Sequence, residues 1–373
     1  MSSKYIGLMS GTSLDGIDAA LISIDKDGCV HFEHSISAEL PRELKKDILQ
    51  LCSTSHDEIE LLGKTDRKIG QVFAEAALAL CASANIKTTD VTAVGSHGQT
   101  VRHRPPDNSR DYRNAFTLQI GDPNTIAEIS GITTVGDFRR RDIAAAGQGA
   151  PLVPAFHAAA FADPLEERII LNIGGMANVS ILKKNGDVTG FDTGPGNVLM
   201  DSWIQHCQQL NYDRNGEWAA SGSVDPALLQ YFLQSNYYRQ TGPKSTGREQ
   251  FNMQTIEEAL KVFPCIAAPD VQATLLELTA RSICDAIEKS STANSSLFLC
   301  GGGSANLALC QRLKILLPSH AINDTSALGI PPDWVEAVAF GWIAHQTLNH
   351  LPGNIPAVTG AKGSRILGAI YPA

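Results

Sequence analysis

The apolar positions of this chain fall into two series of short apolar or alternating runs, each followed by helical periodicity. In the first, KYIGLM (Lys4–Met9), IDAALISI (Ile17–Ile24) and CVHFEHSIS (Cys29–Ser37) read as a three-stranded meander with turns at Gly11–Gly16 and Asp25–Gly28. Helical spacing follows over Pro41–Cys52 and about Asp57–Ala84, after which VTAVGSHG and AFTLQIG return to strand character. In GDPNTIAEIS, Asp122 is placed to cap a helix with Pro123 at its first position, where a missing N–H costs nothing. GITTVGDF reads as a further strand and PLVPAFHAAAFAD as a helix.

The second series opens with RIILNIGGMANVSILKKNGDVTGFDTG over 168–194: strand, Gly174–Gly175, strand, an Asn185–Gly186 hairpin turn, strand. Helices are predicted at about 196–209, 225–236, 254–263 and 269–290. SLFLC is a short buried strand, GGGSANLALCQRLKILL a glycine turn opening a helix, and DWVEAVAFGWIAHQTL a last long helix. The tail PGNIPAVTGAKGSRILGAIYPA reads as irregular chain closing back onto a domain. The order of elements therefore predicts two similarly built α/β halves: residues 1–160 with about 345–373, and residues 161–344.

Composition narrows the class. A chain of 373 residues exceeds one ordinary core, and 43% hydrophobic with 18% charged residues is a globular profile. A formal net charge of −9 argues against nucleic-acid or membrane-surface binding, although GDFRRRD (Gly136–Asp142) and Arg102–Arg113 are locally basic. Eight scattered cysteines without a CxxC read as core fillers of a reduced, cytoplasmic protein. A first strand so near the start leaves no room for a leader, and no apolar run reaches the roughly 18 residues of a membrane span.

Six stretches carry candidate chemistry. In GLMSGTSLDGID, Gly11 and Gly16 copy the GxxxxG of a P-loop, but Ile17–Asp18 stand where Lys and Ser/Thr are needed, and a strand follows instead of a helix. What remains is a turn that can point N–H groups at an anion, with Thr12 and Ser13 as donors and Asp15 or Asp18 for a hydrated Mg²⁺; a plain hairpin is the alternative. FDTGPGN holds a single D-T-G, so it cannot be the paired aspartates of a protease. Asp192 at that strand end is a candidate general base, or else a turn cap, and Gly194–Gly196 would open a helix N-terminus suited to an anion. LFLCGGGSAN begins a GxGxxG whose last glycine is Asn306, with Asp324 near the position of a ribose-binding acid. It admits an NAD-type oxidoreductase or an adenosine seated on bare backbone. In GSHGQTVRHRP, His97 and His103 lack helical ligand spacing, so no metal site is expected. One or two of Arg139–Arg141 in DFRRRD are suited to an anionic substrate group, a solvated charged turn being the alternative. GPKSTGRE (Gly242–Glu249) is a polar loop that could close over phosphates.

Taken together, GLMSGTSLDGID, GSHGQT, DFRRRDIAAAGQGAPLVPAFH, LNIGGMANVS, FDTGPGNVLMD, GPKSTGRE, CGGGSANLAL and IPPDWVEAVAFGWIA resemble the anhydro-N-acetylmuramic acid kinase family over nearly the whole chain. The resemblance implies a two-domain actin-like ATPase fold, with a ribonuclease H-like motif in each domain and a nucleotide cleft between them. It implies ATP and Mg²⁺ as cofactors, a cell-wall amino sugar as substrate, and a cytoplasmic recycling role. ATP would be held by Gly11, Thr12, Ser13, Leu14, Asp15, Gly16, Ile17 and Asp18, by Gly174, Gly175 and Asn178, and by Gly301, Gly302 and Gly303. Asp192 matches the family's base and Glu336 a sugar contact, with His97, Gln99 and Arg140 as further substrate-side candidates. An actin- or chaperone-like ATPase or another sugar kinase of the same fold is the alternative. Oligomeric state stays open, a homodimer included.

Overall fold

The computed structural model describes residues 2–11, 14, 16–52, 57–106, 111–240, 246–247, 250–292 and 294–373. The strands are β1 (Ser3–Met9), β2 (Gly16–Ile24), β3 (Val30–Glu39), β4 (Val91–Ser96), β5 (Gln99–Arg104), β6 (Phe116–Ile120) and β7 (Thr134–Gly136). They continue as β8 (Arg168–Ile173), β9 (Met176–Leu182), β10 (Val188–Pro195), β11 (Ser296–Cys300), β12 (Ala321–Asp324) and β13 (Ala369–Tyr371). Two compact units result: residues 1–160 with 334–373, and residues 161–333. The chain returns to the first unit at Trp334, ahead of the expected boundary near residue 345, because the helix Val335–Leu348 packs on β1 and β4.

In the first unit β1 and β2 are apolar on both faces, as strands covered on both sides must be. Ile6, Leu8, Ile17 and Leu21 join a core with the helices Arg42–Cys52 and Glu58–Ser83. The opposite face meets the helix Val335–Leu348, and three glycines permit that crossing. A Cβ on Gly7 would overlap the Ala337 carbonyl, one on Gly95 the Phe340 carbonyl, and Gly341 leaves room for Ile22. The sheet order is β13-β7-β4-β1-β2-β3. The β1–β2–β3 meander is antiparallel, and β4 and β7 add in parallel beyond β1.

The second unit repeats this plan as β10-β9-β8-β11-β12, with an antiparallel meander and two parallel strands beyond β8. Its core joins Ile169, Leu171, Val179 and Leu299 to Trp203, Leu275 and Ile283 from its helices. Third-second-first-fourth-fifth strand order in both units is the ribonuclease H-like motif, the pattern that an actin-like ATPase fold carries twice. Two stretches depart from the sequence reading. Residues 138–144 of the basic stretch form a helix, where a solvated turn was the alternative, and the tail, expected to be irregular, supplies β13, pairing Ala369 with Gly136. Among the described residues no helix is long and apolar enough to cross a membrane, and no disulfide joins any of the cysteines.

Candidate active site

In the second unit, strand register places a row of polar residues across the sheet. Asp192 of β10 pairs with Asn178 of β9, Asn178 with Asn172 of β8, and Asn172 with Cys300 of β11. Directly paired residues share a face, so Asp192, Asn178 and Asn172 stand side by side. The row ends at Gly301, where a Cβ would run into Asn172 Oδ1. Three stretches far apart in sequence thus meet at one edge of one sheet.

Asp192 sits just before a bulge: Asp192 opposes Asn178, but Gly194 already opposes Ala177, leaving Thr193 as the extra residue. Thr246 N donates to Asp192 Oδ2 at 2.9 Å, and the Tyr237 hydroxyl donates to the Asp192 carbonyl at 2.6 Å. Burial, reinforced by the charge of Asp192, pushes the Tyr237 phenol up, so it stays a donor. Thr246 and Gly247 are the described residues of the GPKSTGRE loop, whose remainder lies outside the described residues.

The Gly174–Gly175 hairpin does two jobs. Its carbonyls accept from Gly196, Asn197 and Val198 N–H at 2.9–3.1 Å, so they cap the helix Val198–Gln208. Three N–H groups at that helix start are therefore engaged by protein. The hairpin tip itself is open, since a Cβ on Gly175 would meet nothing within 4 Å. Gly302 is equally open, whereas Gly301 (φ 78°) and Gly303 are packed against Ile173. The Gly302–Ala305 segment is a 3₁₀ turn, and Asn306 caps the following helix by accepting from Leu309 N at 3.1 Å. Asp324 caps its own turn by accepting from Ser326 N at 2.8 Å, in a sheet that is half antiparallel. Both facts remove the NAD-type reading, which needs a parallel sheet and a glycine where Asn306 stands.

In the first unit the Gly11–Asp18 hairpin joins β1 to β2, with Met9 opposite Asp18. Leu14 N donates to the Gly11 carbonyl at 3.2 Å, and Ser10 Oγ to the Gly16 carbonyl at 3.1 Å. Leu14 and Ile17 are buried in the core, so their side chains anchor the hairpin and only their backbone can face a ligand. Asp18 lies on the other face of β2, alternating with Ile17. Thr12, Ser13 and Asp15 lie outside the described residues.

The same unit gathers a second polar group. His97 is buried, with Nδ1 donating to the Gly98 carbonyl at 2.8 Å and Nε2 accepting from Arg139 Nε at 3.0 Å. Burial and then the Arg139 charge hold its pKa well below the usual imidazole range, so it is a neutral buttress and no acid catalyst. Arg139 Nη1 donates to the Gly149 carbonyl at 2.8 Å. Burial lowers its guanidinium to about 10 while Glu336 and Asp142 pull it back up. Phe340 lies one helical turn beyond Glu336 and packs on the His97 ring at 4.6 Å between centroids. Gln99 is 2% exposed, and its Oε1, like Ser96 Oγ, is buried without a partner.

Arg140 stands apart from this group. It is exposed and pairs with Asp137 at 3.3 Å, so the arginine facing His97 and Glu336 is Arg139. The signal that finds Arg139 is helical: Phe138 and Asp142 are buried at i, i+4, which turns Arg139 inward and Arg140 outward. Asp142 itself is structural, accepting from Asn354 Nδ2 at 2.6 Å, Thr359 Oγ1 at 2.7 Å and Gly149 N at 2.8 Å. Among the described residues no cluster of three His, Cys, Asp or Glu could cage a metal ion.

The anhydro-N-acetylmuramic acid kinase family (AnmK) model matches residues 3–373. Curated anhydro-N-acetylmuramic acid kinases are similar along their full length. That of Shewanella pealeana is 52% identical over 371 residues, covering 99% of this chain and 98% of its own. That of Shewanella halifaxensis is 50% identical over 374 residues, covering 100% and 99%. That of Pseudomonas syringae pv. tomato is 49% identical over 369 residues, covering 99% of each.

Proposed function

The chain belongs to the anhydro-N-acetylmuramic acid kinase family, and from that premise we propose that it opens 1,6-anhydro-N-acetylmuramic acid with water and phosphorylates the freed O6 from ATP. The products are N-acetylmuramic acid 6-phosphate and ADP, a step of peptidoglycan recycling in the cytoplasm. The observation that carries the reading is the Asp192 carboxylate, held by the Thr246 N–H in a polar row that ends at Gly301.

Water is a weak nucleophile and needs a positioned base. Asp192 takes a proton from water as its oxygen bonds to C1 and the C1–O6 bond breaks. O6 then bonds to the γ-phosphorus while the bond to the β,γ-bridging oxygen breaks, releasing ADP. Asp192 is fixed through one carboxylate oxygen and through its own carbonyl, which limits its swing. Open glycine tips at Gly175 and Gly302 let backbone approach a nucleotide without side-chain obstruction. Phosphoryl transfer depends on such positioning and on charge neutralisation more than on covalent help.

Mg²⁺ fits the donor set, because it is typically held by one or two carboxylates plus phosphate oxygens, not by a protein cage. Asp18 is the described carboxylate suited to it; when bound, the ion would neutralise charge on the phosphates. On the sugar side, Arg139 offers Nη2 to the lactyl carboxylate, since Nε and Nη1 are engaged by His97 and Gly149. Glu336 is assigned to the sugar hydroxyls. A coupled ADP-release assay tests the proposal with anhydro-N-acetylmuramic acid against its ring-opened counterpart in ¹⁸O-water. Stoichiometric ADP with label at C1 only from the anhydro sugar is expected; no sugar-dependent ADP release would overturn it.

A further inference from the structure

We propose that Tyr237, braced by Phe251, is the positioning residue of the base: its phenol fixes the Asp192 backbone, while the same stretch of chain fixes the Asp192 carboxylate through the Thr246 N–H. The inference rests on Asp192 being the base in the reading above, and adds what aims it.

The need for such a hold comes from the strand itself. Asp192 opposes Asn178 and Gly194 opposes Ala177, so the ladder of β10 on β9 is interrupted at Thr193, directly after the base. A bulge re-aims the side chain beside it and disturbs the regular pairing that would keep it aimed. Two rotations then govern where the carboxylate goes, ψ of Asp192 and the turning of its own side chain. The peptide group is planar, so a donor held on the Asp192 carbonyl fixes the plane that ψ turns. A donor held on the carboxylate fixes the side-chain rotation.

Tyr237 supplies the first donor, its hydroxyl lying 2.6 Å from the Asp192 carbonyl oxygen. The residue is 2% exposed, and its ring stands edge-to-face on Phe251 with centroids 5.6 Å apart and planes at 87°. Tyr238 meets the same ring at 5.6 Å and 82°. A buried aromatic ring packed this way is a stiff strut, and its hydroxyl has little room to wander. Thr246 N supplies the second donor, to Asp192 Oδ2 at 2.9 Å.

Both donors lie between the helices Pro226–Leu233 and Met253–Val262, and Phe251 joins them. Its N–H donates to the Gly247 carbonyl, next to Thr246, at 3.1 Å, while its ring carries Tyr237. Thr246 Oγ1 donates to Gln250 Oε1 at 2.9 Å and closes the same turn. The contacts thus form a circuit that leaves Asp192 at its carbonyl, passes through Tyr237, Phe251, Gly247 and Thr246, and returns at the carboxylate. A phenol that only satisfied its own burial could take any acceptor. This one takes the carbonyl of the base and shares its support with the donor on the carboxylate.

Tyr237→Phe removes the hydroxyl and keeps the ring pair with Phe251, so it tests the strut without emptying the core. We expect kcat to fall about 10–100-fold, with calorimetric affinities for ATP and anhydro-N-acetylmuramic acid within about 2-fold, because the contact acts on the base and on neither ligand. In the Asp192→Asn background the same change should cost less than about 2-fold of the residual turnover, as a residue working through the carboxylate must. Phe251→Leu, which stays apolar and loses the edge-to-face brace, should show the same pattern; urea midpoints are the folding control. Wild-type kcat in Tyr237→Phe, a loss confined to KM, or an equal loss with and without the Asp192 carboxylate would overturn the inference. A crystal structure of Tyr237→Phe reads the aim without turnover: a shift of the carboxylate by roughly 1 Å is expected, and an unmoved one overturns the inference. A wild type that releases no ADP with the sugar would overturn the reaction instead, and that crystal structure would still decide the positioning.

Discussion

Asp192 accepts from the Thr246 N–H through its carboxylate and from the Tyr237 hydroxyl through its carbonyl, and Arg139 donates to the neutral His97 imidazole and to the Gly149 carbonyl. Asp192→Asn keeps an acceptor for the Thr246 N–H and removes the base. We expect turnover to fall by about 10²–10⁴-fold with ATP affinity unchanged, read by steady-state kinetics and calorimetry. Arg139→Ala should raise KM for the sugar by roughly 10–100-fold through loss of a charge-assisted contact, and Arg140→Ala should stay within about 2-fold. Acid sensitivity also belongs to this scale. Burial holds His97 well below the usual range, His103 at about 4 and His157 at about 3. Unfolding lets each take up a proton near its ordinary value of 6.5, so the unfolded chain binds more protons and stability falls as pH drops below that value. Between pH 7 and 5 the loss is up to roughly 2 kcal/mol per histidine. Urea titrations at the two pH values check it; equal midpoints would contradict the burial of these rings.

Among elements, the crossing of the helix Val335–Leu348 over β1 and β4 is the most demanding contact, because backbone meets backbone at Gly7 and Gly95. Gly7→Ala must push the helix off the sheet or unfold the unit, and we expect a loss of about 3–5 kcal/mol in urea unfolding. Gly175→Ala is the contrasting case. Its methyl enters open space, so stability should stay within about 0.5 kcal/mol while ATP affinity drops about 10-fold. Wild-type affinity in that variant would remove the hairpin tip from the nucleotide site. Most elements were legible from periodicity: the meanders, the Asp122 cap accepting from Asn124 and Thr125 N–H, and the long helices all fall where spacing puts them. The helix Phe138–Ala144 was not, since three consecutive arginines mask a short apolar stripe of Phe138 and Ile143. Neither was β13, whose three half-exposed residues carry no alternation. The bulge at Thr193 leaves no mark in composition at all.

For the molecule as a whole, the two units differ in continuity. Residues 161–333 form one unbroken unit with its own core, while the first unit needs 334–373 to cover its sheet. The isolated segment 161–333 should therefore unfold cooperatively, and a chain ending at 333 should expose the β1 and β4 face and lose the first unit's unfolding transition while keeping that of the second, both read by calorimetry. Local sequence determined the two α/β halves, the glycine turns and the aspartate at a strand end, because periodicity, φ > 0 and missing side chains are properties of a few adjacent residues. It also carried the family. Only tertiary structure decided that Asp192, Asn178, Asn172 and Gly301 form one row, since strand register across 130 residues is set by packing and not by local preference. The same holds for Arg139 over Arg140 and for the hold of Tyr237 and Thr246 on Asp192. In each case, which way a side chain points depends on the burial of its neighbours, and no short stretch of sequence contains them.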